Sequence, residues 1–336
     1  MAMVSYNTGY SRDHESKHRV SVERAKANDD EETATTAQTL WFISATFPHS
    51  PRVLHFLNNR QKVHGESINF CQEILQKNSV EWKAVLGNNL TEPINDADLI
   101  VAIGGHGTLL LASHLMDDKI PVLVVNSYPT RIDEVKKFSG EFDAARSTGH
   151  LCAATVENFE QVLDGILENR IAPSKLTRIK ISVNALDFPT YALNDILVAN
   201  LCPASISRFS FRIAKENQPF SPLVNVKSSG LRVSTVAGST AAMHLAGGFS
   251  MPILSRFLQY MAREAISPGE ESDSMHGLIK HNETMNTTWA CRKGVTYIDG
   301  SHINYSIKDG DIIQISPKAP SLKVFLPGHL LRLAKM

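Results

Sequence analysis

Leu99-Ile-Val-Ala-Ile103 runs without a break into Gly104-Gly-His-Gly-Thr108, and that junction decides the fold. Five consecutive apolar residues ending at glycine read as a strand buried on both faces. Behind the glycines, Thr108–Met116 reads as a helix, and Ile120-Pro-Val-Leu-Val-Val125 as a second buried strand. Strand, helix and strand in this order build a parallel, helix-covered, Rossmann-like sheet. The glycines let the backbone take positive φ and approach a ligand closely. Thr108 is placed to cap the helix, and the unpaired N–H groups of a helix start attract an anion, phosphate above all. The carboxyl end of a parallel strand is also where α/β sheets bind ligands. The loop is neither a P-loop nor a G-x-G-x-x-G fingerprint. The same residues also fit a tight strand-to-helix turn that holds no ligand.

Working toward the amino end, Ile68, Cys71, Ile74 and Leu75 recur at helical spacing, and Leu40-Trp-Phe-Ile43 reads as a short strand. Residues 1–39 hold no Leu, Ile or Phe and carry mixed charges, a composition that predicts disorder. Toward the carboxyl end, Thr155 reads as an N-cap, with Val156, Phe159, Val162, Leu163, Ile166 and Leu167 on one helical face. After Pro173 short β-like runs recur: Leu176–Val183, Tyr191–Ala199, Ile206–Ile213, Leu231–Val236, Val295–Asp299, Ile303–Ile307, Ile312–Ile315 and Leu322–Leu326. Turn residues separate them. The polar stretch 262–294 reads as a long loop or flap. The expected organisation is therefore a disordered 1–39, an α/β domain over 40–172, and an all-β C-terminal domain over 173–317.

A chain of 336 residues fits about two domains. Lys+Arg and Asp+Glu are 34 each, so the net charge of zero gives no bulk attraction to nucleic acid or to an anionic membrane. The apolar runs are far shorter than the ~20 residues that span a bilayer. Four scattered cysteines without C-x-x-C spacing form neither a zinc cluster nor a disulfide framework, and fit a reducing compartment. The end Ala334-Lys335-Met336 matches a peroxisomal address of the Ser-Lys-Leu type and equally an exposed helix end. Cytoplasm and peroxisome are the two expected locations.

Three more features carry polar chemistry. Ala237-Gly-Ser-Thr-Ala-Ala242, followed by Gly247-Gly248, offers the hydroxyls of Ser239 and Thr240 with little bulk around them, or a packed helix start with a glycine cap. Asn194-Asp195 interrupts the apolar run Tyr191–Val198. At least one of the pair is expected to be buried, with its partners either inside the fold or on a ligand. Asp299-Gly300 is a common turn dipeptide and on its own says nothing.

Together, in this order and spacing, these segments resemble the NAD kinase family, marked by a Gly-Gly-Asp-Gly-Thr loop, an Asn-Glu/Asp pair, Gly-Ser-Thr-Ala with a later Gly-Gly, and a late Asp-Gly. The match falls on Gly104, Gly105, Gly107, Thr108, Asn194, Asp195, Gly238–Ala241, Gly247-Gly248 and Asp299-Gly300. The closer resemblance is to the plant NADH kinase branch, carried by Lys62-Val-His64, Phe70–Leu75, Ser147–Gln161, Ser207–Phe211 and Ser228–Leu231, and it runs from about Pro51 to Leu326. The resemblance implies a two-domain fold in which residues 318–336 return to the first domain. It implies transfer of the γ-phosphoryl group of ATP to the adenosine-ribose 2′-hydroxyl of NADH or NAD+, with Mg2+ travelling on ATP, and a homodimer or larger assembly. It assigns the phosphates to Gly104, Gly105, Gly107 and Thr108, and the ribose and nicotinamide end to Asn194 and Asp195. Dinucleotide contacts fall to Asn126, Gly238, Ser239, Thr240 and Ala241, and Asp299 is placed near the transfer region. The catalytic position is His106.

Several positions depart from the family pattern. His106 stands where the family has the Asp that holds and deprotonates the 2′-hydroxyl; imidazole accepts a proton near neutral pH but carries no negative charge. A catalytically weakened or silent dinucleotide-binding homologue is therefore the alternative expectation. Val236-Ala237 replaces Pro-Thr and Ala242 replaces Tyr, both within the plant branch's range. Tyr128 stands where that branch carries Asp, which removes a ribose contact or puts a ring into the pocket.

Overall fold

The computed structural model describes residues 2–5, 51–86, 92–144, 149–216, 218–266 and 274–333. Leu40–Ile43, most of the 1–39 segment and Ala334–Met336 lie outside them.

One sheet gathers β1 (Ala2–Ser5), β2 (Lys83–Leu86), β3 (Ile100–Gly104), β4 (Val122–Asn126), β5 (Ala154–Thr155), β6 (Ser174–Leu176) and β19 (Leu322–Phe325). The order is β2-β1-β3-β4-β19-β6, with β5 beside the carboxyl half of β4. Every pairing is parallel except that of β19 with β6. Alternation explains the apolar run Leu99–Ile103. Ile100 and Ala102 face Leu109, Ala112 and Met116, whereas Leu99, Val101 and Ile103 face the opposite layer. That layer is made by Cys71, Ile74 and Leu75 of α1 (Pro51–Lys77), and by Phe159 and Leu163 of a later helix (Phe159–Leu167). Both faces are covered, so no position on β3 tolerates polarity.

Four sequence expectations are corrected here. Ala2–Ser5, expected to be disordered, pairs on both sides, with Ala2 opposite Lys83 and Ile100. An average over residues 1–39 dilutes a strand this short, whose order comes from two neighbouring ladders rather than from composition. Helix α2 (His106–Ser113) starts two residues before Thr108, with extended Gly105 as its N-cap, so Thr108 sits in the first turn and caps nothing. After α3 (Ile132–Phe138) comes α4 (Phe159–Leu167), capped at Asn158 rather than Thr155; Asn158 Oδ1 accepts the Thr155 N–H at 2.7 Å. The stretch 262–294, expected to be a loop, carries strands. One of them, Glu283–Trp289, buries Met285, Thr287 and Trp289 and turns Asn286 and Thr288 outward, a period-2 pattern written in Thr and Asn.

Two six-stranded antiparallel sheets form the other half. The first holds β7 (Lys180–Val183), β8 (Leu186–Asp187), β10 (Ser207–Lys215), β11 (Val224–Ser228), β15 (Glu283–Trp289) and β18 (Ile312–Ser316). The second holds β9 (Asp195–Ala199), β12 (Gly230–Ser234), β13 (Leu258–Arg263), β14 (His276–Ile279), β16 (Lys293–Ile298) and β17 (Ile303–Lys308). Their inner faces meet in one apolar core that includes Ile196, Val198, Phe209, Phe211, Leu231, Val233 and Trp289. The predicted run Leu176–Val183 is split between architectures. Its first residue closes β6 in the first sheet and its last four form β7 of the sandwich, with Arg178 between them.

The two halves share a core. Leu193, Val236, Ala237, Met251 and Ile253 of the β-rich half pack with Ile100, Leu109 and Ala112. Arg178, fully buried, donates to the carbonyls of Ser113 (2.9 Å), Met116 (2.8 Å), Asp117 (3.3 Å) and Pro320 (2.7 Å). A cation at the carboxyl end of α2 meets the negative end of the helix dipole. Burial pulls the guanidinium down to about 10. Among the described residues no helix is long and apolar enough to cross a membrane.

Candidate active site at the seam

The strand-end glycines are required by contact. A Cβ on Gly104 would lie 2.1 Å from Thr108 Oγ1, so the hydroxyl can fold back over the strand end only because residue 104 is glycine. Gly104 stands opposite Asn126 in the ladder, and the Ser127 N–H donates to the Gly104 carbonyl at 3.0 Å. Asn126 is buried and its Oδ1 accepts the Tyr128 N–H at 3.2 Å, which shapes the turn after β4. Gly149, at φ +66, lets that amide in; a Cβ there would sit 2.3 Å from Asn126 Nδ2.

His106 opens α2 and faces the other domain. Its Nε2 lies 2.8 Å from Asn194 Oδ1, an acceptor, so Nε2 carries the proton in this contact and Nδ1 is the unprotonated nitrogen. Burial lowers the His106 pKa, against the opposing effects of the Asn194 bond and the Asp299 charge. The positive end of α2 acts in the same direction as burial. The ring is therefore neutral at pH 7.

The Asn194-Asp195 pair is held from behind. Asp299, whose side chain is 0% exposed, accepts the N–H groups of Leu193 (2.7 Å), Asn194 (2.7 Å) and Asp195 (3.0 Å), and the Nε2–H of His114 (2.8 Å). Its carboxylate is fully engaged inside the fold, so Asp299 shapes the site rather than reaching into it. Asp195 has an internal partner too, Arg232, on the strand paired with its own. Burial pushes the Asp195 carboxyl up while the Arg232 guanidinium holds it down. Of the pair, Asn194 is the one that reaches His106.

The small-residue segment packs against the Asn194 backbone from the sandwich side. The Asn194 carbonyl accepts the Thr235 N–H at 2.8 Å, and a Cβ on Gly238 would lie 2.3 Å from that carbonyl oxygen. Gly238–Thr240 forms a 3-10 turn leading into α5 (Ala242–Leu245), which Gly247, at φ +96, terminates. Ser239 does not offer its hydroxyl freely. That group donates to the Val236 carbonyl (2.7 Å) and accepts the Met251 N–H (3.0 Å), as a packed helix start requires. Thr240 is exposed and Ala241 half-buried. The Tyr128 ring stands edge-on to Phe56, and its hydroxyl donates to Glu134 Oε2 at 3.2 Å, which commits it toward α1 and α3. Among the described residues no group of three or more His, Cys, Asp or Glu side chains could hold a metal ion.

Sequence reading missed His114, Arg178 and Arg232. Each meets its partner across the seam or across a strand pair, and neither the spacing nor the composition around them signals it.

These features define a two-domain protein whose polar site lies where an α/β sheet meets a β-sandwich, at the glycine-lined start of a helix. The family model described as the ATP-NAD kinase N-terminal domain matches residues 25–171. A probable NADH kinase of Oryza sativa subsp. japonica is 53% identical over 284 residues, covering 84% of this chain and 87% of that protein. An NADH kinase of Arabidopsis thaliana is 54% identical over 283 residues, covering 84% and 89%. The crystal structure of an NAD kinase from Archaeoglobus fulgidus in complex with ATP shares the fold, with a TM-score of 0.60 at 18% identity, over 98% of this chain and 95% of that one. The chain belongs to the NAD kinase family.

Proposed function

We propose that this protein transfers the γ-phosphoryl group of ATP to the adenosine-ribose 2′-hydroxyl of NADH or NAD+, giving NADPH or NADP+. The observation that carries the reading is the His106–Asn194 contact at the start of α2. It sets a proton acceptor and a polar amide from two domains side by side at the end of a parallel strand. The family membership and the names of the plant relatives supply the reaction. Gly104, Gly105, Gly107 and Thr108 form the phosphate loop, whose backbone N–H groups ahead of Thr108 hold phosphate oxygens; the Thr108 N–H donates to the Gly105 carbonyl at 3.1 Å. Asn194, with Asp195 behind it, orients the dinucleotide; Asn126, Gly238, Thr240 and Ala241 lie beside it, and Ser239, fully buried, holds their turn from within. Mg2+ enters on the triphosphate, since a hard cation favours phosphate oxygens. Self-association as a homodimer belongs to the same reading, and exposed Leu245 and Phe249 give the segment after Gly238 an apolar surface.

His106 Nδ1 takes the proton of the attacking hydroxyl. A positioned general base contributes about a hundred- to ten-thousand-fold. A neutral imidazole supplies part of that but no negative charge. Asn194 can accommodate either group at position 106, because turning its amide presents Nδ2–H to a carboxylate in place of Oδ1 to an imidazole. The test is NADPH formation from NADH, ATP and Mg2+, with the protein and its His106→Asp variant side by side. The variant should raise kcat at least about tenfold, ~1.4 kcal/mol of barrier. No NADPH from either protein would refute the kinase reading.

A further inference from the structure

We propose that His114 is a positioning residue for the phosphoryl transfer, a role that rests on the kinase reading above. The observations form a closed ring of contacts through both domains. His106, at the start of α2, donates to Asn194 Oδ1. The Asn194 N–H donates to Asp299 Oδ1, and Asp299 Oδ2 accepts the Nε2–H of His114, the residue that ends the same helix. Helix α2 is thereby fixed to the β-sandwich at both ends, and the loop carrying Asn194 is fixed to the helix carrying His106. His114 Nε2 is the one side-chain donor given to Asp299 among the described residues; the other three bonds come from the backbone of residues 193–195. The His114 and Asp299 side chains are 10% and 0% exposed, so water has little access to replace a lost partner.

The chemistry follows from that ring. Asp299 defines where the Asn194 backbone sits, and Asn194 Oδ1 defines which nitrogen of His106 carries the proton. Without a donor at position 114 the carboxylate turns to find another, the 193–195 backbone follows it, and His106 loses the acceptor that keeps Nδ1 unprotonated. Substrate binding through the glycine loop does not depend on this link; proton acceptance does.

The test compares His114→Leu, which fills the space without a donor, with His114→Gln, whose Nε2–H reaches the same distance from the backbone. Two readouts are taken on the full chain: kcat and KM for ATP and NADH, and the imidazole 15N signals of His106 near pH 8. The Leu variant should lose at least about tenfold in kcat with KM for ATP within about twofold, and His106 should change from the single Nε2–H tautomer to a mixture. The Gln variant should restore both. Equal losses in the Leu and Gln variants would overturn the proposal, as would an Nε2–H tautomer and a kcat that survive in the Leu variant. If the unsubstituted protein makes no NADPH, the kinase reading fails. The tautomer readout then decides the positioning role alone: a mixture in Leu with Nε2–H kept in Gln supports it, and no change in Leu overturns it.

Discussion

His106 shows how much a single side chain depends on where the fold puts it. Imidazole in water titrates near ~6.5. Here burial lowers it, and the helix start acts in the same direction. The folded protein therefore takes up this proton at lower pH than the unfolded chain does. Stability from the buried neutral ring is present above ~6.5 and is lost as pH falls through the lower folded value. His150 and His276 are lowered as well, each chiefly by burial, and their contributions have the same sign. Two outcomes are expected. The melting temperature should fall as pH drops below ~6.5, and less steeply in His106→Gln. The acid limb of the kcat profile should have its midpoint below ~6.5; a midpoint at or above that value would contradict a desolvated base. A second residue-scale expectation concerns thiols. Burial pushes Cys71 and Cys152 up to about 12, whereas backbone N–H groups near Ala204 lower exposed Cys202. A thiol reagent at pH 8 should modify Cys202 first and leave Cys71 and Cys152 unlabelled until the chain unfolds; early labelling of Cys71 would contradict the packing of α1.

At the scale of elements, legibility followed burial symmetry. β3 and β4 were plain in the sequence because both faces of each are covered, which demands an unbroken apolar run. The glycine loop was plain because a strand, three glycines and a helix leave few alternatives. β15 was hidden because its inward positions include Thr287, buried at 0% exposure, in a stretch otherwise rich in Asn and Glu. β11, β13 and β14 were missed too, and the helix starts at His106 and Phe159 were misplaced by a few residues because glycine and asparagine caps won over threonine. The candidate site was half legible. Gly104, His106, Asn194 and Gly238 could be picked out, but the couplings of Asn194 to His106 and of Asp195 to Arg232 depend on domain docking and strand register. The turn at Gly238–Thr240 gives the clearest element-scale prediction. Gly238→Ala places a methyl group against the Asn194 carbonyl, so the backbone must shift at a cost of ~1–3 kcal/mol. KM for the dinucleotide should rise more than KM for ATP; equal rises would argue that the turn does not face the acceptor.

At the scale of the whole molecule, the seam between the halves is a core rather than a hinge. Apolar residues of both halves share it, and Arg178 ties α2, the approach to β19 and the start of the sandwich together. Arg178→Met keeps the bulk but leaves the Ser113 and Met116 carbonyls without their donor, each worth ~1–3 kcal/mol when buried. The variant should lose ~2–5 kcal/mol in urea unfolding and should melt in one transition, because the halves cannot open separately. Two separated transitions would show the seam to be weaker than its packing implies.

The first sheet also carries a consequence for synthesis. Its strands come from opposite ends of the sequence, with Ala2–Ser5 inserted between β2 and β3, and Leu322–Phe325 between β4 and β6. A ribosome delivers the amino end first, so β6 waits without a partner and the amino half of β4 keeps an open edge until almost the entire chain has emerged. Nascent protein spends most of its translation with that edge exposed, which makes it a natural client for chaperones that shield unpaired strands. A nonsense codon only a few residues ahead of Leu322 would remove the closing strand and the short helix Gly328–Leu333 behind it. In this protein Leu322–Phe325 is as indispensable to the sheet as Ala2–Ser5.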